Sequence, residues 1–166
     1  MRIAQADFSF LAFNPFAWSA DWIWGLSLIV LTLTFHVSCL GLISLRTVHI
    51  ASRIISERRH SKIAFVAMIG ITSLLASVLH GIEAGIWALA YRFLGAIPDF
   101  GDSMLYSVNA MTSYGHTDQI LQAHWRLMGA LEALNGWLLF GMTTGFLFAV
   151  IQKVWQLGSE EEHEST

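Results

Sequence analysis

The sequence predicts an all-α membrane protein with three transmembrane helices and one short helix that enters the bilayer and turns back. Three observations carry this. Of 166 residues, 55% are hydrophobic and only 13% charged, where a soluble domain carries about a quarter charged residues. Three apolar stretches each exceed the roughly 20 residues that a helix needs to cross a bilayer. Between the second and third lies an amphipathic run, 103–112, which can reach only about 15 Å at 1.5 Å per residue.

Each segment follows in order. Residues 1–21 form an N-terminal extracytoplasmic or interfacial segment. Asp7, Asn14 and Pro15 break its apolar run, so no cleavable signal peptide is expected. Its aromatic residues Phe8, Phe10, Phe13, Phe16 and Trp18 suit a membrane surface. The first span covers 22–45, Trp22 to Leu45. A basic loop, 46–62, carries Arg46, Arg53, Arg58, Arg59 and Lys62 against a single Glu57. The positive-inside rule puts that loop in the cytoplasm of a bacterial inner (plasma) membrane, the N-terminus outside and the C-terminus inside. The unit 63–155 holds the second span (Ile63 to Leu94), the short helix and its loop, and the third span (Trp125 to Trp155). Pro98 and Gly101 punctuate the turn after the second span. The tail, 156–166, with Glu160, Glu161, Glu162 and Glu164, reads as solvated and cytoplasmic.

A segment too short to cross must return to the side it came from. Non-helical backbone at membrane depth survives only when buried in protein or lining a wet path. So small a chain needs oligomeric neighbours to build such a cavity.

Composition also excludes classes. A single cysteine, Cys39, rules out an internal disulfide framework and reads as a small core residue. The basic residues form one short loop and not a face, so no nucleic-acid partner is expected. No nucleophile–base pair or phosphate-binding glycine loop is evident, and no enzyme activity is expected.

Ionisable groups within spans are costly and mark function by default. His80 and Glu83 share a face of the second helix at i, i+3. Glu132 and Asn135 share a face of the third. Glu132 lies only roughly 10 Å into its helix at 1.5 Å per residue, near the short helix, where it can brace the loop by bonding an N–H or a hydroxyl. Arg92 and Arg126 sit near helix ends, where they can snorkel. His80-x-x-Glu83 alone is too short a pattern to define a metal site.

The order helix, Pro-containing turn, short helix, Met111-Thr112-Ser113-Tyr114-Gly115-His116-Thr117-Asp118, helix resembles the pore domain of the tetrameric potassium-channel superfamily. That family's filter reads Thr-Thr-Val-Gly-Tyr-Gly-Asp. Aligned on Asp118, Thr112, Gly115 and Asp118 match, and Ser113 keeps a hydroxyl. Tyr114 stands for Val, His116 for Tyr and Thr117 for the second Gly. A second register pairs Ser113-Tyr114-Gly115 with Gly-Tyr-Gly and puts His116 at the Asp position. The third span is also similar to the inner helix of small bacterial ion-channel proteins, with Glu-Ala-Leu-x-Gly-x-Leu-Leu-Phe-Gly here running from Glu132 to Gly141.

The resemblance implies a homotetramer in a lipid bilayer, a pore helix, and a filter over Thr112, Ser113, Tyr114, Gly115, His116, Thr117 and Asp118. It implies support from Glu132, Asn135, His80 and Glu83, and inner-helix bending at Gly136, Gly141 or Gly145. It calls for no cofactor beyond permeant K+ or Na+. The departures at His116 and Thr117 predict an outer filter of different shape and altered selectivity among monovalent cations. With an unperturbed pKa near 6.5, four His116 side chains at the mouth would charge in mild external acid and repel cations. Conductance in liposomes should then fall with external pH, and His116→Gln should remove the fall. Two rival readings stand beside the channel. One is a non-conducting membrane subunit. The other is a haem-binding electron-transfer protein using His36 and His80, which count to similar depths.

Overall fold

The structure is a computed structural model that describes residues 19–56, 61–115, 121 and 125–164. Within these residues the chain is four α-helices with no strand. They are α1 (Ser19–Ser56), α2 (Ser61–Phe93), α3 (Phe100–Met111) and α4 (Arg126–Glu164). Three of them are long and apolar enough to cross a membrane, over Ser19–Thr47, Phe65–Phe93 and Arg126–Lys153. This fits a multi-pass membrane protein. Spans of 28 or 29 residues reach roughly 43 Å at 1.5 Å per residue, so they tilt in, or protrude from, a hydrocarbon core about 30 Å thick.

The helices run past the spans predicted from sequence. α1 was expected to end at Leu45 and continues to Ser56, so Arg46 and Arg53 lie on helix and not in a loop. α4 continues through the acidic stretch to Glu164. The reason is physical. Hydropathy locates the part of a helix that sits in lipid, not its end. No Gly or Pro interrupts 46–56, and Glu is a good helix former. The N-terminal aromatic segment up to Trp18, and Glu57, Arg58 and Arg59, lie outside the described residues.

Two helix ends share one device. At the end of α2, Gly95 takes φ +69, its N–H reaches Arg92 O at 3.1 Å, and Ala96 N–H reaches Tyr91 O at 2.9 Å. That is a Schellman cap, with glycine at its left-handed position. Pro98 follows, and its carbonyl accepts from Arg92 Nη1 at 3.2 Å. Asp99 then caps α3, its side chain accepting from Asp102 N–H at 3.0 Å. α3 also ends in a Schellman cap. Ser113 N–H bonds Ala110 O and Tyr114 N–H bonds Asn109 O, both at 3.0 Å. Here the left-handed residue is Ser113, at φ +55.

α1 packs on α2 and α4, and α3 lies against α2 and α4. The main core sits at the end that holds α3. Trp87, Tyr91 and Met128 are fully buried there, with Leu28, Tyr106, Leu121 and Leu131 around them. Tyr91 and Tyr106 meet edge to face at 5.2 Å. At the opposite end Met68 and Val150 form a smaller cluster with Phe65 and Phe146. Lipid tails are as apolar as leucine, so burial alone gives helices little reason to choose one another over lipid. Close contacts and internal polar bonds must decide the arrangement.

Candidate functional site

Two polar layers occupy the interior at different depths. The first joins α2, α3 and α4. Glu132 on α4 is fully buried. Its Oε2 accepts from the Tyr91 hydroxyl at 2.7 Å, and its Oε1 makes a short hydrogen bond with the Ser107 hydroxyl. Ser107 Oγ also lies 2.7 Å from the Ala84 carbonyl oxygen. Sequence reasoning expected Glu132 to bond an N–H or a hydroxyl near the short helix, and the partners are two hydroxyls. Asn135, one turn on, is fully buried, with its Oδ1 3.2 Å from the Thr32 hydroxyl of α1.

The same layer seats the end of α3. Gly136 on α4 faces the backbone of Met111, and a Cβ there would collide with the Met111 carbonyl and Cα. Trp137 Nε1 donates to Ser113 Oγ at 2.8 Å. Gly136 therefore lies at a helix contact, where only glycine fits, and α4 runs through it as unbroken helix. Gly141 and Gly145, the other two suggested bending points, have open space beside them.

The loop after α3 is non-helical. Ser113 and Gly115 have positive φ, +55 and +94, and Tyr114 stands between them. Positive φ costs a non-glycine residue about 1 kcal/mol or more. At Ser113 the cap bonds and the Trp137 contact offset that cost. Ser113 Oγ, among the filter groups that the resemblance implies, accepts this bond from α4. Tyr114 is 83% exposed and Trp137 69% exposed on the single chain. Of the filter residues inferred from sequence, Thr112 to Gly115 are described; His116, Thr117 and Asp118 lie outside the described residues.

The second layer lies near the middle of all three spans. His36 on α1 and Glu83 on α2 are fully buried. His36 Nδ1 is 2.8 Å from Glu83 Oε1. His80 Nδ1 is 3.4 Å from Glu83 Oε2. Thr143 on α4 places its hydroxyl oxygen 3.0 Å from Nε2 of both histidines. Sequence counting put His36 and His80 at one depth. It gave no sign of Thr143, because a threonine in an apolar helix carries no mark of its partner.

The haem reading meets this geometry directly. The two imidazoles are tilted at 41° with centroids 5.2 Å apart, and both Nε2 atoms lie 3.0 Å from one hydroxyl. A haem ligated by both would need the rings on opposite faces of the porphyrin, farther apart than they stand here. The bonds of Glu83 and His80 run to His36 of α1 and Thr143 of α4.

Comparison with protein-family models, with curated proteins and with solved structures gives no match to this chain.

Proposed function

We propose that the chain is one subunit of a homotetrameric cation channel of potassium-channel type. In this reading α2 is the outer helix, α3 the pore helix, the loop from Thr112 the filter and α4 the inner helix. The observation that carries it is where the irregular backbone sits. Ser113 touches Trp137, which lies roughly 17 Å along α4 from its start at Arg126, at 1.5 Å per residue. That is near the middle of the α4 span. Backbone that is neither helix nor sheet at such depth must be covered by protein or line a wet path. On the single chain Tyr114 and Gly115 are exposed, so further copies are needed to cover them.

Two further features support the reading. Alternation of left-handed and ordinary backbone turns successive carbonyls toward a common axis, and the positive φ values at Ser113 and Gly115 begin such a pattern. The bare apolar and small residues of α4, including Leu138, Phe140, Gly141 and Gly145, give the subunits a face on which to meet. A filter of this kind replaces an ion's hydration shell with carbonyl and hydroxyl oxygens. The permeant ions are K+, or K+ and Na+ together. The basic stretch from Arg46 to Lys62 faces the cytoplasm, which places α3 and its loop on the outer side.

Purified protein in liposomes, with K+, Na+ and Cl− gradients tested separately, decides the matter. Cation flux should appear, and Gly115→Ala should reduce it at least tenfold, because φ +94 is strained for any residue with a Cβ. Absence of cation flux, or flux indifferent to Gly115, sinks the channel reading and leaves a non-conducting membrane subunit.

A further inference from the structure

The mid-membrane layer has more chemistry than bracing requires. Three ionisable side chains from two helices converge on one point: His36 of α1 with His80 and Glu83 of α2. One ligand atom from each lies within 4.8 Å of the others. We propose that His36, His80 and Glu83 form an intramembrane binding site for a divalent transition-metal ion of the zinc type, with Thr143 holding both imidazoles in place.

The donor set is two imidazole nitrogens and one carboxylate oxygen, which suits zinc and its neighbours and not calcium or magnesium. Around a tetrahedral Zn2+ with bonds of 2.0–2.1 Å, two ligand atoms lie about 3.3 Å apart. The His36 Nδ1–Glu83 and His80 Nδ1–Glu83 separations, 2.8 and 3.4 Å, bracket that edge. Small shifts of side chains therefore admit an ion between the two Nδ1 atoms and the carboxylate.

The outer partner is already in position. A ligating histidine almost always donates its other ring N–H to a fixed acceptor. Thr143 Oγ1 has two lone pairs, and each Nε2 is 3.0 Å from it. With both Nε2–H groups donating there, both Nδ1 lone pairs turn toward Glu83. That is the tautomer a bound ion would select; without one, His36 Nδ1–H donates to Glu83 Oε1 at 2.8 Å. Glu83 Oε2 fits this picture, since it is buried and has no hydrogen-bond partner. It lies within ion-pair reach of His80 but outside hydrogen-bond geometry. His80 is the partly exposed member, at 27% of its side chain. A bound ion would tie α1 to α2 directly, and α4 through Thr143.

The site does not depend on the channel reading, and its test does not use flux. The full chain, free of any affinity tag and stripped with a chelator in detergent, is titrated with Co2+ and then with competing Zn2+. Visible absorption reports tetrahedral Co2+, and elemental analysis gives metal per chain. One Co2+ per chain, displaced by Zn2+, is expected. His36→Gln and Glu83→Gln should each abolish it. Thr143→Val, which leaves all three ligands, should weaken it 10- to 100-fold. His49→Gln should leave it unchanged. Thr143→Val decides the case if a ligand variant fails to fold. Three results each overturn the proposal: no stoichiometric metal, binding that survives His36→Gln and Glu83→Gln, or full-strength binding in Thr143→Val. No metal but a pH-dependent melting temperature abolished by His36→Gln would show a site that holds protons only, and also overturns it.

Discussion

Glu132→Leu is expected to destabilise the folded chain by about 2 kcal/mol and to loosen α3 in its seat. The carboxylate ends two bonds, from the Tyr91 and Ser107 hydroxyls, and so joins one residue each from α2, α3 and α4. Leucine fills much of the volume but accepts nothing. The Tyr91 hydroxyl then loses its acceptor, at a cost of about 1–3 kcal/mol, while the Ser107 hydroxyl can turn to the Ala84 carbonyl oxygen at 2.7 Å. Glu132→Gln tests the account. It keeps a carbonyl oxygen for Tyr91 and offers an N–H to Ser107 Oγ, so most stability should return. Thermal unfolding in detergent reads both variants. Equal losses in the two would mean that the carboxylate shape, and not its hydrogen bonds, carries the effect.

Gly136→Val should have the larger effect on function. The side chain would run into the Met111 carbonyl and Cα, which are backbone atoms and cannot rotate aside. Overpacking of this kind costs about 1–3 kcal/mol. The cheapest relief is to push the end of α3 away from α4, which breaks the Trp137–Ser113 bond and moves the loop at Thr112 to Gly115. On the channel reading, cation flux in liposomes falls at least a hundredfold. Gly141→Ala and Gly145→Ala meet open space and should leave the fold intact, gaining about 1 kcal/mol of helix propensity each. Wild-type flux in Gly136→Val would show that this contact does not place the loop.

Much of this architecture was legible in the sequence. Hydropathy located the three spans, and length alone made the fourth helix a different kind of element. Pro98 and Gly101 marked the end of α2, but α3 starts at Phe100, earlier than the run read from 103. Ser113 shows the limit of such reading. It does at the end of α3 what Gly95 does at the end of α2, yet a serine carries no signal for positive φ. Glu132 was visible as a costly group beside the short helix. Tyr91 was not visible as its partner, because that requires the rotation of α2 about its axis. For the same reason His36 and His80 could be placed at one depth but not joined through Glu83 and Thr143. Helix ends beyond the lipid, such as Ser56 and Glu164, lie where hydropathy has nothing to report.

The shared position of His36 and Glu83 bears on how the chain is made. α1 has one buried histidine near its middle and can enter a membrane alone. α2 carries His80 and Glu83, and a charged residue at the centre of an isolated span costs about 2.5–3.5 kcal/mol on insertion scales. Its partner is His36, on the helix synthesised just before it and joined to it through only residues 57–60. The first two helices are therefore suited to leave the insertion machinery as a hairpin, with the carboxylate already matched. Thr143 arrives last in translation and closes the layer from the third side.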